Sequence, residues 1–339
     1  MEYSPYMMQS LIISTFYFTL SLFVFLNVSK AQTNITKTII VDQSGKGNFI
    51  HVQQAIDSIP SNNQEWTIIH LNPGVYNEKV EISKDKPYII LEGESHSQTV
   101  IQWGDFGSSL ESSTFKLYAD NFMARGITFK NTYNRVIQRS LSRNNVTWAP
   151  AAFLKGDKVS FYSCAFISLQ DTLTDWEGRH YFDKCYFEGA IDFIWGGGQS
   201  IYQNSQINVT ASLLDGGNAY ITAQARGSAE ETNGFVFKYC IVTGTGPAFL
   251  GRAYGSYSRV VFYKSVFDGI IAPEGWNAWV STGKEETITY AEIGCTGPGA
   301  DMSKRVKWEK NLSEEEVRHL VSIRLFINQE MWLQKQLEH

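Results

Sequence analysis

Cysteine, net charge and long apolar runs are all scarce in this sequence, and each scarcity excludes something. Only four cysteines occur in 339 residues, Cys164, Cys185, Cys240 and Cys295, so at most two disulfides can form. The formal net charge is −5, which argues against nucleic acid as a partner. One stretch alone, residues 11–28, approaches the apolar length that spans a bilayer. No Asp/Glu cluster of the kind that holds Ca²⁺ lies near the two aspartates discussed below, and no metal or other cofactor is expected. Helix signals are confined to the flanks, at residues 52–59 and 313–327, where Ser313 and Glu316 make a capping-box pattern. The second of these is expected to pack as a terminal cap, and the final QKQLEH to be disordered.

What is present is apolar: 43% of residues are hydrophobic and 14% aromatic, enough for a large core. The run at residues 11–28 follows a short polar head and ends at Ser29-Lys30-Ala31, with small residues where a signal peptidase reads. Residues 1–31 are therefore read as a secretory signal rather than an anchor, leaving residues 32–339 as one exported domain with no membrane attachment. Export brings oxidising conditions in which cysteines pair. It also makes Asn34, Asn145, Asn208 and Asn311, each in an Asn-x-Ser/Thr triplet, candidates for glycosylation.

A short theme repeats from residue 161: FYSCAF, YFDKCYF, IYQNSQI, FVFKYCIV, VFYKSVF. Its small markers are Cys164, Cys185, Ser205, Cys240 and Ser265, spaced by 21, 20, 35 and 25 residues. A period just over twenty in brief alternating segments is the pattern of a solenoid. It predicts an all-β fold, a right-handed parallel β-helix with short flanking helices, in which residues one period apart stack at about 4.8 Å. A β-sandwich also accommodates alternating strands.

Asp171 and Asp192 share the 21-residue spacing of Cys164 and Cys185. On adjacent coils the cysteines are close enough to bridge, and the aspartates become stacked neighbours. Two carboxylates so placed cannot both ionise easily, so their pKa values separate, as a general acid and a nucleophile or base require. The alternative is a pair of turn-capping aspartates.

At these residues the sequence resembles the pectin methylesterases. The likeness rests on six ordered motifs: GVYNEKV (74–80), QDTL (170–173), GRHYF (178–182), GAIDFIWG (189–196), LGRAYGSYSRVVF (250–262) and PEGWNAW (273–279). It implies a right-handed parallel β-helix that hydrolyses galacturonate methyl esters of homogalacturonan to methanol and free carboxylate without a metal. Carried onto these positions, the resemblance makes Asp192 the nucleophile, Asp171 the acid/base, Gln170 the oxyanion donor and Arg252 the residue that orients Asp192 and keeps it ionised. Tyr254, Trp279 and Trp148 fall on the substrate side, Tyr254 standing where many relatives carry Trp. The resemblance further implies a monomeric cell-wall enzyme open to a proteinaceous inhibitor. The calculated pI of 5.7 implies weak electrostatic retention on polyanionic pectin.

Three departures qualify it. Trp148 occupies the place of a second family Gln, with Gln199 as a possible stand-in donor. Ser205 and Cys240 match two positions that the family often bridges, which leaves Cys240 free or paired with Cys295. The expected mature chain has no room for an inhibitor-like pro-region. A catalytically impaired pectin-binding homologue is the alternative function, and a β-helix glycosidase or lyase a third.

Overall fold

The computed structural model describes residues 35–136 and 146–337. The expected signal at residues 1–31 and the triplets at Asn34 and Asn145 lie outside them. Of the other two triplets, Asn208 is half-buried and donates Nδ2 to Glu188 Oε2 at 3.3 Å, while Asn311 is exposed.

Three sheets, of ten, eight and eight strands, are built from residues 35–293 of the described chain, and every pairing within them is parallel. In each sheet the neighbours come from successive coils, which is the right-handed parallel β-helix that the repeat predicts. No helix among the described residues is long and apolar enough to cross a membrane.

The core is built by stacking like upon like. Phe161, Phe182, Tyr202, Phe237 and Phe262 pair in register on five successive coils of the ten-stranded sheet. Their rings stack at centroid distances of 5.2, 4.6, 4.5 and 4.5 Å. Such contacts add about 0.5–1.5 kcal/mol per pair beyond the area they bury.

The repeat markers also stack. Extending the register beyond Tyr162, Asp183, Gln203, Lys238, Tyr263 and Ile293 aligns Cys164, Cys185, Ser205, Cys240, Ser265 and Cys295. The residue before each marker from 163 to 264 turns the corner with positive φ: Ser163, Lys184, Asn204, Tyr239 and Lys264 lie between 47° and 55°. Two serines replace cysteine with a hydrogen-bonding function, since Ser205 Oγ accepts from Cys185 N and Ser265 Oγ from Cys240 N.

The expected Cys164–Cys185 bridge is absent, as all four cysteines are free thiols. The two stack as expected, but Cys164 Sγ faces the Tyr162 carbonyl and Cys185 Sγ the Phe161 and Asp183 carbonyls, each at 3.5 Å. Cys240 and Cys295 are separated by the coil carrying Ser265. At about 4.8 Å per coil their Cα atoms lie beyond the roughly 7 Å limit for a disulfide.

At the near flank, helix Val52–Asp57 packs Val52, Ala55 and Ile56 into the core. The C-terminal segment differs from the expected single terminal helix. Ser313 and Glu316 form the capping box of helix Glu314–Val321, which Ser322 interrupts by capping a second helix, Ile323–Phe326. Leu320, Phe326, Ile327, Trp332 and Leu333 cover the outer face of the ten-stranded sheet at Tyr181, Ile201, Val236, Val261 and Ala291. The segment therefore lies along the side of the solenoid. Of the expected disordered ending, residues 334–337 instead belong to helix Trp332–Leu337, where Gln336 is buried and bonds Ser160 Oγ and the Lys158 carbonyl, while Glu338 and His339 lie outside the described residues.

Candidate active site

The site lies on the eight-stranded sheet that contains strands Ala152–Leu154, Leu173–Asp175, Ile191–Gly196, Ala219–Gln224, Ala248–Ala253 and Trp276–Asn277 in spatial order. A bridge between Gln170 and Ile191 places Asp171 and Asp192 on adjacent coils. Asp171 N donates to the Ile191 carbonyl at 3.0 Å.

Asp192 stands at a β-bulge. Ile191 pairs with Tyr220 and Ile194 with Thr222, so the Asp192 strand carries one extra residue there. A bulge redirects a side chain that strict alternation would send elsewhere. Both aspartates adopt left-handed backbone, φ 58° at Asp171 and 47° at Asp192, a region Asp tolerates better than most residues.

Arg252 comes from two coils beyond Asp192. Its Nε donates to Asp192 Oδ1 at 2.6 Å and its Nη2 to Oδ2, a bidentate ion pair. The preceding Gly251 lets the strand sit close, since a Cβ there would lie 2.2 Å from Thr222 Oγ1. The guanidinium carbon lies 4.2 Å from the Tyr220 ring centroid and 3.7 Å from that of Trp279.

The two acids are buried to similar degrees, 5% exposed at Asp171 and 8% at Asp192, but differ in partners. Among the described residues Asp171 has no ion-pair partner. Burial, reinforced by the Asp192 charge, pushes the Asp171 carboxyl well above the usual aspartate range, and the more distant Arg252 only partly opposes this. Burial raises Asp192 as well, against the bonds and charge of Arg252. The expectation that the guanidinium would hold Asp192 low is thus corrected: desolvation outweighs it. The order survives, with Asp171 the better proton holder.

Gln170 is half-buried beside this pair, and its amide bonds no described residue. Tyr254 and Trp279 are 49% and 36% exposed and touch each other at 5.8 Å. Trp148, 49% exposed, lies on the preceding coil, with its carbonyl accepting from Gly107 N. Gln199 is not a stand-in donor. It belongs to the ten-stranded sheet, donates to the Phe326 carbonyl at 2.5 Å and accepts from Thr232.

The sequence reading missed several aromatic neighbours. Ring contacts run Tyr118–Phe153–Trp176–Trp195–Tyr254–Trp279 at 5.5–6.3 Å along the outer face of the sheet. Phe153, Thr174, Trp195, Ala223, Arg252 and Asn277 share one register row, so the coil period was the available signal.

A sequence model of the Pectinesterase family matches residues 38–330. This chain belongs to the pectinesterase family. It is 47% identical over 297 residues to probable pectinesterase 29 of Arabidopsis thaliana, covering 87% of this chain and 88% of that protein. Identity to probable pectinesterase 55 of the same plant is also 47% over 297 residues, covering 87% and 90%. The fold is similar to that of a pectin methylesterase from carrot, with a TM-score of 0.81 and 27% identity over 88% of this chain and 95% of that one. As a pectinesterase the chain is a carboxylic ester hydrolase.

Proposed function

We propose that this pectinesterase hydrolyses the methyl esters of galacturonate residues in homogalacturonan, with Asp192 as nucleophile and Asp171 as acid and then base. The observation that carries the reading is the asymmetry of the pair: stacked, buried carboxyls, of which Asp192 alone is held by a bidentate arginine.

In the first half-reaction an Asp192 oxygen attacks the ester carbonyl. The amide of Gln170, which is otherwise uncommitted, donates to the oxyanion, a contribution of about 3 kcal/mol for one well-placed donor. Collapse breaks the carbonyl–methoxy bond, and Asp171, which retains its proton because burial and the Asp192 charge favour the neutral form, protonates the departing methoxide. Methanol leaves and an anhydride joins the galacturonyl group to Asp192. In the second half-reaction the ionised Asp171 takes a proton from water as it attacks the same carbonyl. The products are ionised Asp192, reprotonated Asp171 and galacturonic acid, which gives its remaining proton to solvent and leaves as the free carboxylate. Arg252 holds both oxygens of Asp192 in place and compensates its charge where water is excluded. The exposed faces of Tyr254 and Trp279 offer apolar platforms for pyranose rings.

The test is methanol release from highly methylated pectin by the folded protein beside Asp192→Asn. Release by the parent that vanishes in the variant supports the reading. A folded parent that releases none, yet retains affinity for pectin, favours a binding protein disabled at the Trp148 position. Depolymerised fragments without methanol would assign it to chain-cleaving chemistry.

A further inference from the structure

Arg252 reaches Asp192 across an intervening coil. The Asp192 strand pairs with the strand of Tyr220, which in turn pairs with the strand of Arg252. The two backbones are therefore about 10 Å apart at ~4.8 Å per coil, and the guanidinium must be extended back over the Tyr220 coil to meet the carboxylate. A long, flexible side chain in that posture needs something to hold it.

Hydrogen bonding supplies little of that support. Both hydrogen bonds from the guanidinium go to Asp192, and Nη1 has no described partner. What fixes the plane is aromatic. Tyr220 covers one face at 4.2 Å and Trp279 lies at 3.7 Å. Tyr220 is itself braced by Phe249, whose ring is stacked on it at 5.4 Å and 8°. The Tyr220 hydroxyl bonds no described residue, so the ring is the part that matters here. Trp279 sits at the exposed rim, whereas Tyr220 is half-buried beneath the guanidinium.

We propose that Tyr220 is a positioning residue: braced by Phe249, its ring holds the Arg252 guanidinium in the plane from which Nε and Nη2 meet both oxygens of Asp192. The proposal rests on the reading of Asp192 as the nucleophile. It explains how an arginine two coils away orients a buried carboxylate without a hydrogen-bonded scaffold of its own. It also assigns Trp279 a second task, since its ring contacts Arg252 as well as Tyr254.

The experiment compares Tyr220→Phe with Tyr220→Leu, each in the parent and in an Arg252→Lys background, by methanol release and by ¹³C titration of the Asp192 carboxyl. Tyr220→Phe keeps the ring and is expected to stay within about twofold of the parent. Tyr220→Leu removes the π-face and is expected to lower kcat about five- to tenfold with KM changed less than about twofold, and to move the Asp192 titration to higher pH. In the Arg252→Lys background the planar cation is gone, and Tyr220→Leu should then cost less than about twofold. Leu performing as well as Phe, or an undiminished loss in the lysine background, would overturn the proposal and leave Tyr220 as core packing. Absence of methanol release by the parent would instead sink the esterase reading. The carboxyl titration still decides the clamp in that case, because it needs no turnover: an Asp192 that titrates identically in the Leu variant refutes it.

Discussion

Asp171→Asn is expected to abolish turnover and make the protein more stable at neutral pH. Asp171 is 5% exposed, has no ion-pair partner among the described residues and faces the Asp192 charge. Ionising it in the folded state is therefore costly, and its folded pKa lies well above the value of about 3.9 for an unfolded aspartate. Below that unfolded value both states carry the proton, and the stability associated with neutral Asp171 is fully present. As pH rises through the window between the unfolded and the raised folded pKa, the unfolded chain gives up its proton first and that stability is lost. Asn resembles the protonated acid in shape and never ionises. Relieving a destabilised active-site group commonly returns about 1–2 kcal/mol, which for a unit of about 300 residues is roughly 2–3 °C in Tm. Calorimetric scans of both proteins from pH 3.5 to 8 should show a gap that is small at the acid end and widens towards neutrality. A gap independent of pH, or a parent more stable than the variant at pH 7, would refute the argument that Asp171 is held neutral by its surroundings.

Gln170→Ala should lower kcat by about 10²-fold or more with a smaller change in KM, because the donor acts on charge present only in the transition state; a pure KM effect would contradict the oxyanion role. His180 has both ring nitrogens against acceptors, Nδ1 to Asp175 Oδ1 at 2.5 Å and Nε2 to the Gly156 carbonyl at 2.8 Å, in the solvent-free core. Burial disfavours its charge, yet Asp175 reverses this and raises its pKa, so the stability it contributes is full below about pH 6.5 and fades as pH rises through the folded value. His180→Gln is accordingly expected to cost about 3–5 kcal/mol at pH 6 and less under alkaline conditions, as read from denaturation midpoints; a cost that grows with pH would contradict an imidazolium. The buried thiols should resist iodoacetamide until the protein unfolds, since burial pushes the Cys164 thiol up to about 12. Rapid native labelling of Cys164 would show that its coil opens. Phe182→Ala, which interrupts the five-ring ladder, should cost about 3–5 kcal/mol by urea titration, and a loss under 1 kcal/mol would mean that the stack relaxes to fill the gap.

The coil architecture was legible because a solenoid writes its period into the sequence: the markers Cys164, Cys185, Ser205, Cys240 and Ser265 stack as their spacing implied. The same period put Asp171 beside Asp192, and the LGRAY motif pointed to Arg252. Less legible was whatever depended on which sheet a residue joins. Gln199 is close in sequence to Asp192, yet a corner of the coil intervenes and it serves a different sheet. Tyr220 is hidden from period counting because the chain makes an excursion through the turn Ala211–Leu213 before the next strand, so that Ile191 pairs with Tyr220, well beyond one coil period of about 21 residues. The C-terminal helices lie on the flank because the outer face of the ten-stranded sheet is apolar. That signal was available in strands such as Gly234–Lys238, which is buried at every position, since a strand apolar on both faces needs cover on both.

The proposed division of labour between the two acids follows from what surrounds each of them rather than from their side chains. Both are aspartates with left-handed backbone on neighbouring coils, and both are almost completely removed from water. A parallel solenoid supplies such pairs readily, because whatever one coil presents, the next can repeat about 4.8 Å away. What it cannot supply within one period is a different environment for each member. Here the difference comes from beyond the repeat: Arg252, two coils further along, pairs with Asp192, while Asp171 lies one coil more distant and feels the cation only as a weaker, opposing influence. The bulge turns the nearer acid to accept it. In the proposed mechanism, an acid that keeps its proton and a carboxylate held ready to attack thus arise from identical side chains because the Arg252 cation pairs with the aspartate of one coil and acts only weakly on that of the next.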